Sequence, residues 1–491
     1  MALDLIKTCL QADATRALNW RMSVDAWADK QAELGDKVAV YRRYAAGDHD
    51  AKLTDKMKQM LRIGDSNFDR FNDNYMDIVI QTPTDRLQLT GLETNNDAAT
   101  QWVSALLDAN RLDALQIDVT EAAIRDGNTY LLCSWDKELK QVRLTHELAW
   151  DGDSGMMVVH DSFNRVILGV KSWQEQMGNV TRVTLYYPDH IERYASGDDS
   201  ELHPFEDADG PADQPFIWNG QPIGCPVIHI PNRGTSWDAF GTSEIEDAIP
   251  IQNALNRTMH SMVMAAELTA FQVKWGMGFI FPPDLTPGMC INIGDGKAIS
   301  KDEHVDLGVL EQGEIMPYIQ QAQWLTSEIG KITRTPAPEF MGSDTASGEA
   351  LKQREIGLIG KCKRFQVKAG NRWEDAIRVA WGVQAAFGGN LPPAFETISA
   401  QWAEIELRND TAVIENAKVL AEMGYAEEAL RQMAPVFGWG EKKIKELLEQ
   451  KAQQDQARIN QFTSALPSFG AASFGLPSNG GGQRQGVLNN G

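Results

Sequence analysis

From about Ser347 to Phe387 the chain holds an unbroken helical pattern of apolar and charged residues, and no other feature constrains the fold as tightly. At ~1.5 Å per residue this element would be roughly 60 Å long. A helix so far above the usual globular length is expected to run through more than one domain. Ser347 is placed to cap its N-terminus, and Glu349 to complement the dipole in its first turn.

The rest of the chain arranges itself around this helix. Residues 1 to 62 alternate apolar and charged positions at helical spacing (Leu18, Met22, Trp27, Leu34), and the pattern breaks at Gly47 within YRRYAAGDHD (41 to 50). NYMDIVIQTPTDRLQLTGL (74 to 92) reads as helix then strand, and 97 to 127 as helices ending at Gly127. Short strands follow in NTYLLCSWD, VRLTHEL, RVILGVKSWQ and VTRVTLYYPDHIERY, and together these predict an α+β domain. The acid-rich stretch between Arg193 and Asp213 reads as a solvated loop.

Residues 242 to 270 carry Ile245, Ala248, Ile249, Leu255, Met259, Met262 and Ala266 on one helical face, with Pro250 either kinking the helix or opening its main part. Residues 271 to 311 switch to short strands and turns, and 313 to 333 are helical again. An α/β insert is therefore predicted between two helices. A loop rich in small residues leads into the long helix, one more strand is expected within 390 to 410, and charged helices at 411 to 460 are split by Gly424 and VFGWG. The last 28 residues hold seven Gly and a single charge, Arg484, and are expected to be a disordered tail.

Charge and composition narrow the function. With 46 Lys plus Arg against 68 Asp plus Glu the formal charge is −22, which argues against binding DNA or RNA by phosphate neutralisation and against an anionic membrane surface. Cys9, Cys133, Cys225, Cys290 and Cys362 lie far apart with no CxxC pair, consistent with thiols used as small apolar residues in a reducing compartment. Asp4, Lys7 and Asp13 interrupt what would have to be the apolar core of a signal peptide, and no run reaches membrane-spanning length, so no membrane is expected as a partner.

Catalytic signatures fail on spacing. GDGK (294 to 297) lacks the first glycine and the hydroxyl of a phosphate loop, with Ile291 and Ala298 in those places. Asp151 and Asp153 imitate a calcium loop, but Met156 and Ser162 occupy the positions that need Gly and Glu, leaving an ordinary loop. No HExxH, GxSxG or GxGxxG occurs, and no two histidines fall at ligand spacing. Glu244, Glu246 and Asp247 could hold metals for nuclease chemistry, but they read better as charges crowding the first turn of a helix. No catalytic residue, metal site or cofactor is expected.

Four segments, in order, resemble the portal proteins of tailed double-stranded DNA phages. They are YRRYAAGDHD (41 to 50), FGTSEIEDAIPIQNALNRTMHSM (240 to 262), TPAPEFMGSDTASGEALKQRE (335 to 355), and the helices MGYAEEALRQM and EKKIKELLEQ before the tail. The resemblance implies a portal fold: a ring of about twelve copies at one capsid vertex, with an axial DNA channel. It further implies a wing at 1–238, a stem helix at 239–270, a clip at 271–312, a second stem helix at 313–333 and a tunnel loop at 334–347. The long helix (348–388), a wing return strand (389–410) and crown helices (411–460) would complete it, ahead of the tail at 461–491. Double-stranded DNA in the channel, the terminase large subunit, a head–tail adaptor, and the major capsid and scaffolding proteins are the implied partners, with assembly in the host cytoplasm. Another phage head or connector protein is one alternative, and a metal-dependent nuclease a second.

An acidic wall suits a channel through which DNA must slide, because each base touching a phosphate would release counterions and add a binding barrier. Residues 242 to 268 carry Glu244, Glu246, Asp247 and Glu267 against Arg257, a net of −3, so these are the candidate channel-lining residues of the stem. About twelve copies would place on the order of −36 around the bore. The tunnel-loop candidates are Gly342, Ser343, Asp344, Thr345, Ala346, Ser347 and Gly348, flanked by Lys331, Arg334, Lys352 and Arg354. In the clip, Trp275, Asp295, Lys297, Lys301, Asp302, Glu303 and Asp306 are candidate contacts to the motor and the adaptor, where the acid excess calls for a basic partner surface.

Overall fold

The computed structural model describes residues 2–11, 20–51, 72–175, 180–196, 201–206, 210–270, 274–277, 290–293, 306–309, 314–336, 348–405, 410–437, 439 and 441–465. It divides into two units, Met1–Glu406 and Leu407–Gly491.

In the first unit α1 (Ala2–Gln11) and α2 (Val24–Ala45) precede α3 (Tyr75–Thr84), β1 (Leu89–Thr94), α4 (Asp97–Ala109) and α5 (Leu112–Asp126). Local chemistry sets their ends. The Ser23 hydroxyl accepts from Ala26 N at 3.2 Å, and the Asn96 side chain accepts from Ala98 N at 3.0 Å. Gly127 closes α5 at φ 79°, a left-handed conformation that a side chain would resist.

Two antiparallel sheets follow. In the first, β2 (Asn128–Asp136) lies between β3 (Gln141–Leu148) and β12 (Val227–Pro231). The second has the order β4 (Gly155–His160), β5 (Val166–Glu175), β6 (Val180–Tyr186), β7 (His190–Ser196), β8 (Leu202–Pro204), with β9 (Asp213–Pro215) also paired to β7. The small hairpin of β10 (Ile217–Trp218) and β11 (Gln221–Pro222) turns through Asn219-Gly220, both at positive φ, as a two-residue turn requires. Tyr130, Leu132, Met156, Val158 and Val227 pack between the sheets. Ile6, Trp27, Val159, Leu168 and Val183 form a second core beneath α1 and α2.

The chain then enters α6 (Ile249–Ala270), the strands β13 (Lys274–Met277), β14 (Cys290–Ile293) and β15 (Asp306–Val309), and α7 (Met316–Thr333), which packs against α6. The insert is a three-stranded sheet, with β13 parallel to β14 and antiparallel to β15. The long helix is α8 (Gly348–Phe387), 40 residues. It buries Leu358, Cys362, Phe365, Ala369, Trp373, Ala376, Ala380 and Val383, three- and four-residue steps that keep one face on the first sheet. Each large apolar side chain so buried is worth roughly 1.5–3 kcal/mol, which is what holds so long a helix in place. After it β16 (Ile398–Trp402) returns to pair antiparallel with β1. The unit is α+β.

The second unit holds α9 (Asp410–Glu422), α10 (Ala426–Phe437) and α11 (Glu441–Ala465). Gly424 turns the chain at φ 95°, and small side chains such as Ala417, Ala429 and Ala434 are buried where the helices meet.

Three expectations need correction. Gly155–His160 is a buried strand rather than part of a loop: Asp151 Oδ1 accepts from the backbone of Asp153 and Ser154 (3.1 and 3.0 Å), a turn that feeds β4. The helix expected from residue 242 begins at Ile249, after a 3₁₀ turn at Glu246–Ala248, with Pro250 in its first turn. The acid-rich stretch contains β8 and β9, held by Arg193, which is buried and donates to Pro211 O at 2.8 Å and Gln214 Oε1 at 3.1 Å. The expected helical stretch at 52–62, the Ser347 cap and the tail beyond Ala465 lie outside the described residues.

Candidate functional site: the approach to α6 and α7

The segment 41 to 50 and the segment 240 to 262, far apart in sequence, meet in space. Tyr44 sits near the end of α2, and its hydroxyl donates to Asp50 Oδ2 at 2.9 Å while accepting from Asn253 Nδ2 at 2.7 Å. His49 stacks on the Tyr44 ring with centroids 4.9 Å apart. Its Nε2 donates to Tyr44 O at 3.1 Å, and its Nδ1 accepts from Asn256 Nδ2 at 2.7 Å. That pattern requires the neutral ring, and burial pushes the His49 pKa below its ordinary value. Gln252 and Asn256, both fully buried on α6, bind the backbone just ahead of α3. Gln252 Nε2 donates to Asp73 O at 2.7 Å, and Asn256 Oδ1 accepts from Asp73 N at 3.2 Å. Asn253 and Asn256 thereby bind the turn at Gly47, and Gln252 and Asn256 bind the backbone ahead of α3, which together fix the start of α6.

The lead-in FGTSE is fixed as firmly. Gly241 N donates to Asn128 Oδ1 at 2.7 Å, and a Cβ there would run into the carbonyl oxygens of Gly127 and Asn232. The Ser243 hydroxyl donates to Arg125 O at 2.6 Å, and Glu244 N donates to Ile124 O at 3.0 Å. The buried Glu244 carboxylate accepts from Asn232 Nδ2 at 3.1 Å and lies 3.3 Å from Lys361 Nζ, which also donates to Thr333 O at 2.9 Å. One lysine of α8 therefore joins the approach to α6 and the last carbonyls of α7. Nearby, Asp126 is fully buried between Arg42 (2.9 Å) and Arg125 (2.8 Å), and Arg42 continues to Asp151 at 2.7 Å. Such a carboxylate is tolerable only because both of its oxygens are paired.

A second buried polar contact lies under the same loop. His229 Nε2 donates to Asn128 Oδ1 at 2.9 Å, so His229 Nδ1 is the acceptor and His160 Nε2 donates to it at 3.1 Å. Both rings are neutral, and burial holds His160 at about 4 and His229 well below its ordinary value. His49 and His146 are lowered by burial as well. Since these folded-state values lie below the unfolded ~6.5, the associated stability is present above that pH and lost as pH falls through the window beneath it. Going from about pH 7.5 to about pH 5 should cost roughly 2 kcal/mol from His160 alone. Thermal melts at the two pH values check this: the midpoint should fall on acidification.

The structure places the stem candidates unequally. Glu244 is 6% exposed and committed to Lys361, and it precedes the helix instead of crowding its first turn, so freeing its charge would strand a buried lysine. Glu246 is half-buried and pairs with Lys37 at 3.1 Å, while burial and the Glu246 charge raise the Tyr41 hydroxyl far above its ordinary value. Asp247 and Arg257 are exposed. The side chain of Glu267 lies outside the described residues. So do Gly342, Ser343, Asp344, Thr345, Ala346, Ser347, Asp295, Lys297, Lys301, Asp302 and Glu303, and of Asp306 only the backbone, in β15, is described. Gly348 is the first residue of α8. Trp275 is half-buried, its ring lying over Gly308 of the paired strand.

Asn128, Asn232, Gln252, Asn253, Asn256 and Lys361 were not singled out in the sequence, since each is an ordinary polar residue until its distant partner is known. Among the described residues no group of three or more His, Cys, Asp or Glu side chains could hold a metal, and no helix is long and apolar enough to cross a membrane. Burial pushes the Cys362 thiol up to about 11 and those of Cys133 and Cys225 up to about 12, as befits packing residues.

Comparison with known proteins gives this arrangement a family. The portal protein of Mycobacterium phage L5 is 22% identical over 400 residues, covering 73% of this chain and 77% of that protein. The portal protein of Mycobacterium phage D29 is 25% identical over 200 residues, 38% of this chain and 40% of that protein. Two solved structures of a gene transfer agent also align. A chain of the neck of the empty particle does so with a TM-score of 0.43 at 12% identity, over 80% of this chain and 95% of that one. A chain of the native virion gives 0.41 at 13% identity, over 80% and 94%. Residues 30–457 match the family described as phage portal protein, SPP1 Gp6-like, and the chain belongs to that family.

Proposed function

We propose that copies of this chain assemble into a ring at one vertex of a phage capsid, a structural part of the virion that carries out no catalysis. About twelve copies would enclose a channel through which double-stranded DNA is packaged and later ejected. In this reading α6 and α7 are the stem, β13 to β15 the clip, 334–347 the tunnel loop, and α9 to α11 the crown. The clip would meet the terminase large subunit during filling and the head–tail adaptor afterwards, and the major capsid and scaffolding proteins would surround the wing.

The observation that carries the ring is the unburied apolar surface of the stem side. Met316, Trp324 and Ile332 stand along α7 with 58%, 59% and 46% of their surface exposed, and Ile356 and Val367 protrude from α8. Single exposed apolar residues are ordinary, but five of them on two helices, a tryptophan among them, leave apolar area in water that contact with another subunit would cover. Negative-stain microscopy of the purified protein tests the reading: rings with a hole of roughly 20 Å or more admit a duplex. Monomers that cleave DNA when metal is added would overturn it. Trp324→Ala should shift the population from rings toward free subunits without lowering the melting temperature of the subunit, as sedimentation and thermal melts would show.

A further inference from the structure

We infer that a basic groove behind the stem root receives carboxylate side chains of a neighbouring copy of the chain, an inference that rests on the ring reading above and names one of its contacts. The groove is a cavity of about 240 Å³ where the loop after β12, the end of α7 and the middle of α8 converge. Arg233 and Arg334 reach it from residues held at φ 59° and 56°, and Lys361, Arg364 and Lys368 line it from α8. The three- and four-residue steps between the last three put them on one face of the helix. Five cationic side chains thus share a space with one carboxylate, Glu244, and that one is taken by Lys361 and Asn232.

Arg233, Arg334 and Arg364 have no carboxylate partner among the described residues. This is unexpected in a chain with 68 acids and 46 bases, where a base finds an acid easily. Gathered positive charge without a partner raises the energy of the free subunit and is relieved by an anion. Arginine forks match planar carboxylates bidentately. The cavity is narrower than the usual small-molecule site of ~300–1,000 Å³ and far too small for a duplex roughly 20 Å across, but it admits one or two acidic side chains.

A ring supplies those acids. Subunits that each carry −22 repel one another across every boundary, and a head-to-tail contact needs a basic patch on one side to meet the acidic surface on the other. The groove has the sign and the size for that contact, whereas a grip on phosphates would oppose the passage of DNA.

The test compares the full-length protein with Arg233→Glu/Arg364→Glu and Arg233→Lys/Arg364→Lys by sedimentation velocity over a range of protein and salt concentrations. The glutamate variant should need at least about tenfold more protein to form rings, the lysine variant, which keeps the charge but loses the fork, should fall between it and the wild type, and rising salt should weaken the wild-type ring. Thermal melts of the free subunits should coincide, because neither arginine holds a carboxylate within the subunit. Glutamate-variant rings as stable as wild type overturn the inference alone. If such rings have also lost retention of a short DNA duplex that the wild type holds, the groove takes phosphate and the inference is equally overturned. A wild-type protein that forms no rings overturns the ring reading itself, and the inference with it.

Discussion

Gly241→Val is expected to remove most of the folded subunit, lowering stability by at least about 4 kcal/mol. The constraint is space, since Gly241 is absent from the glycines at positive φ, and a Cβ there meets the backbone oxygens of Gly127 and Asn232 and the nitrogen of Asn232. Backbone cannot rotate aside as a side chain can. The displacement would also pull Gly241 N from Asn128 Oδ1 and disturb the His229 contact on the same oxygen. Gly91→Ala is the control: its site is open and its φ ordinary, so its melt should match wild type within about 0.5 kcal/mol. A Gly241→Val protein that melts with the control would disprove the close-approach argument.

Glu244→Ala should be nearly as severe, costing about 3–5 kcal/mol, because it leaves the 11% exposed Lys361 ammonium with only Thr333 O and no counter-charge. The double replacement Glu244→Leu/Lys361→Met should recover most of that loss, since buried pairs exchanged for apolar groups of similar volume are often neutral. Urea unfolding of the three proteins distinguishes the cases. A double variant no better than the single one would mean that the pair specifies the position of α8 and does not merely neutralise itself. A single variant with wild-type stability would mean that water reaches Lys361 in solution.

How much of this was visible in the chain differs by element. The long helix was legible because its buried residues, Leu358 to Val383, repeat at three- and four-residue steps over so many turns that no other structure fits. Gly47, Gly127 and Gly424 marked helix ends because each takes the left-handed backbone that glycine adopts most readily. β4 was missed because GMMVVH is buried on both faces and so lacks the alternation that announces a strand. Glu244 misled because three acids before an apolar run look like dipole charges, and its true partner lies 117 residues away. The family segments were recognisable in order, but their physical reason was not: Tyr44 and Asn253 are 209 residues apart and nothing local couples them. The basic groove was hidden for the same reason, since its cations are scattered through acidic sequence and gather only when three elements fold together.

The pairing of β1 with β16 has a consequence for the ribosome. Thr90 bonds Gln401 across 311 residues of chain, and Lys361 reaches Glu244 across 117. At a synthesis rate of about 5–20 residues per second, the edge of β1 waits on the order of 15 to 60 seconds for its partner to be made. Until residue 402 has been made β1 has no partner, and over that interval the chain carries an open strand edge of the kind that seeks other chains. Cells making this protein in quantity must therefore guard the nascent chain until β16 has emerged to cover that edge.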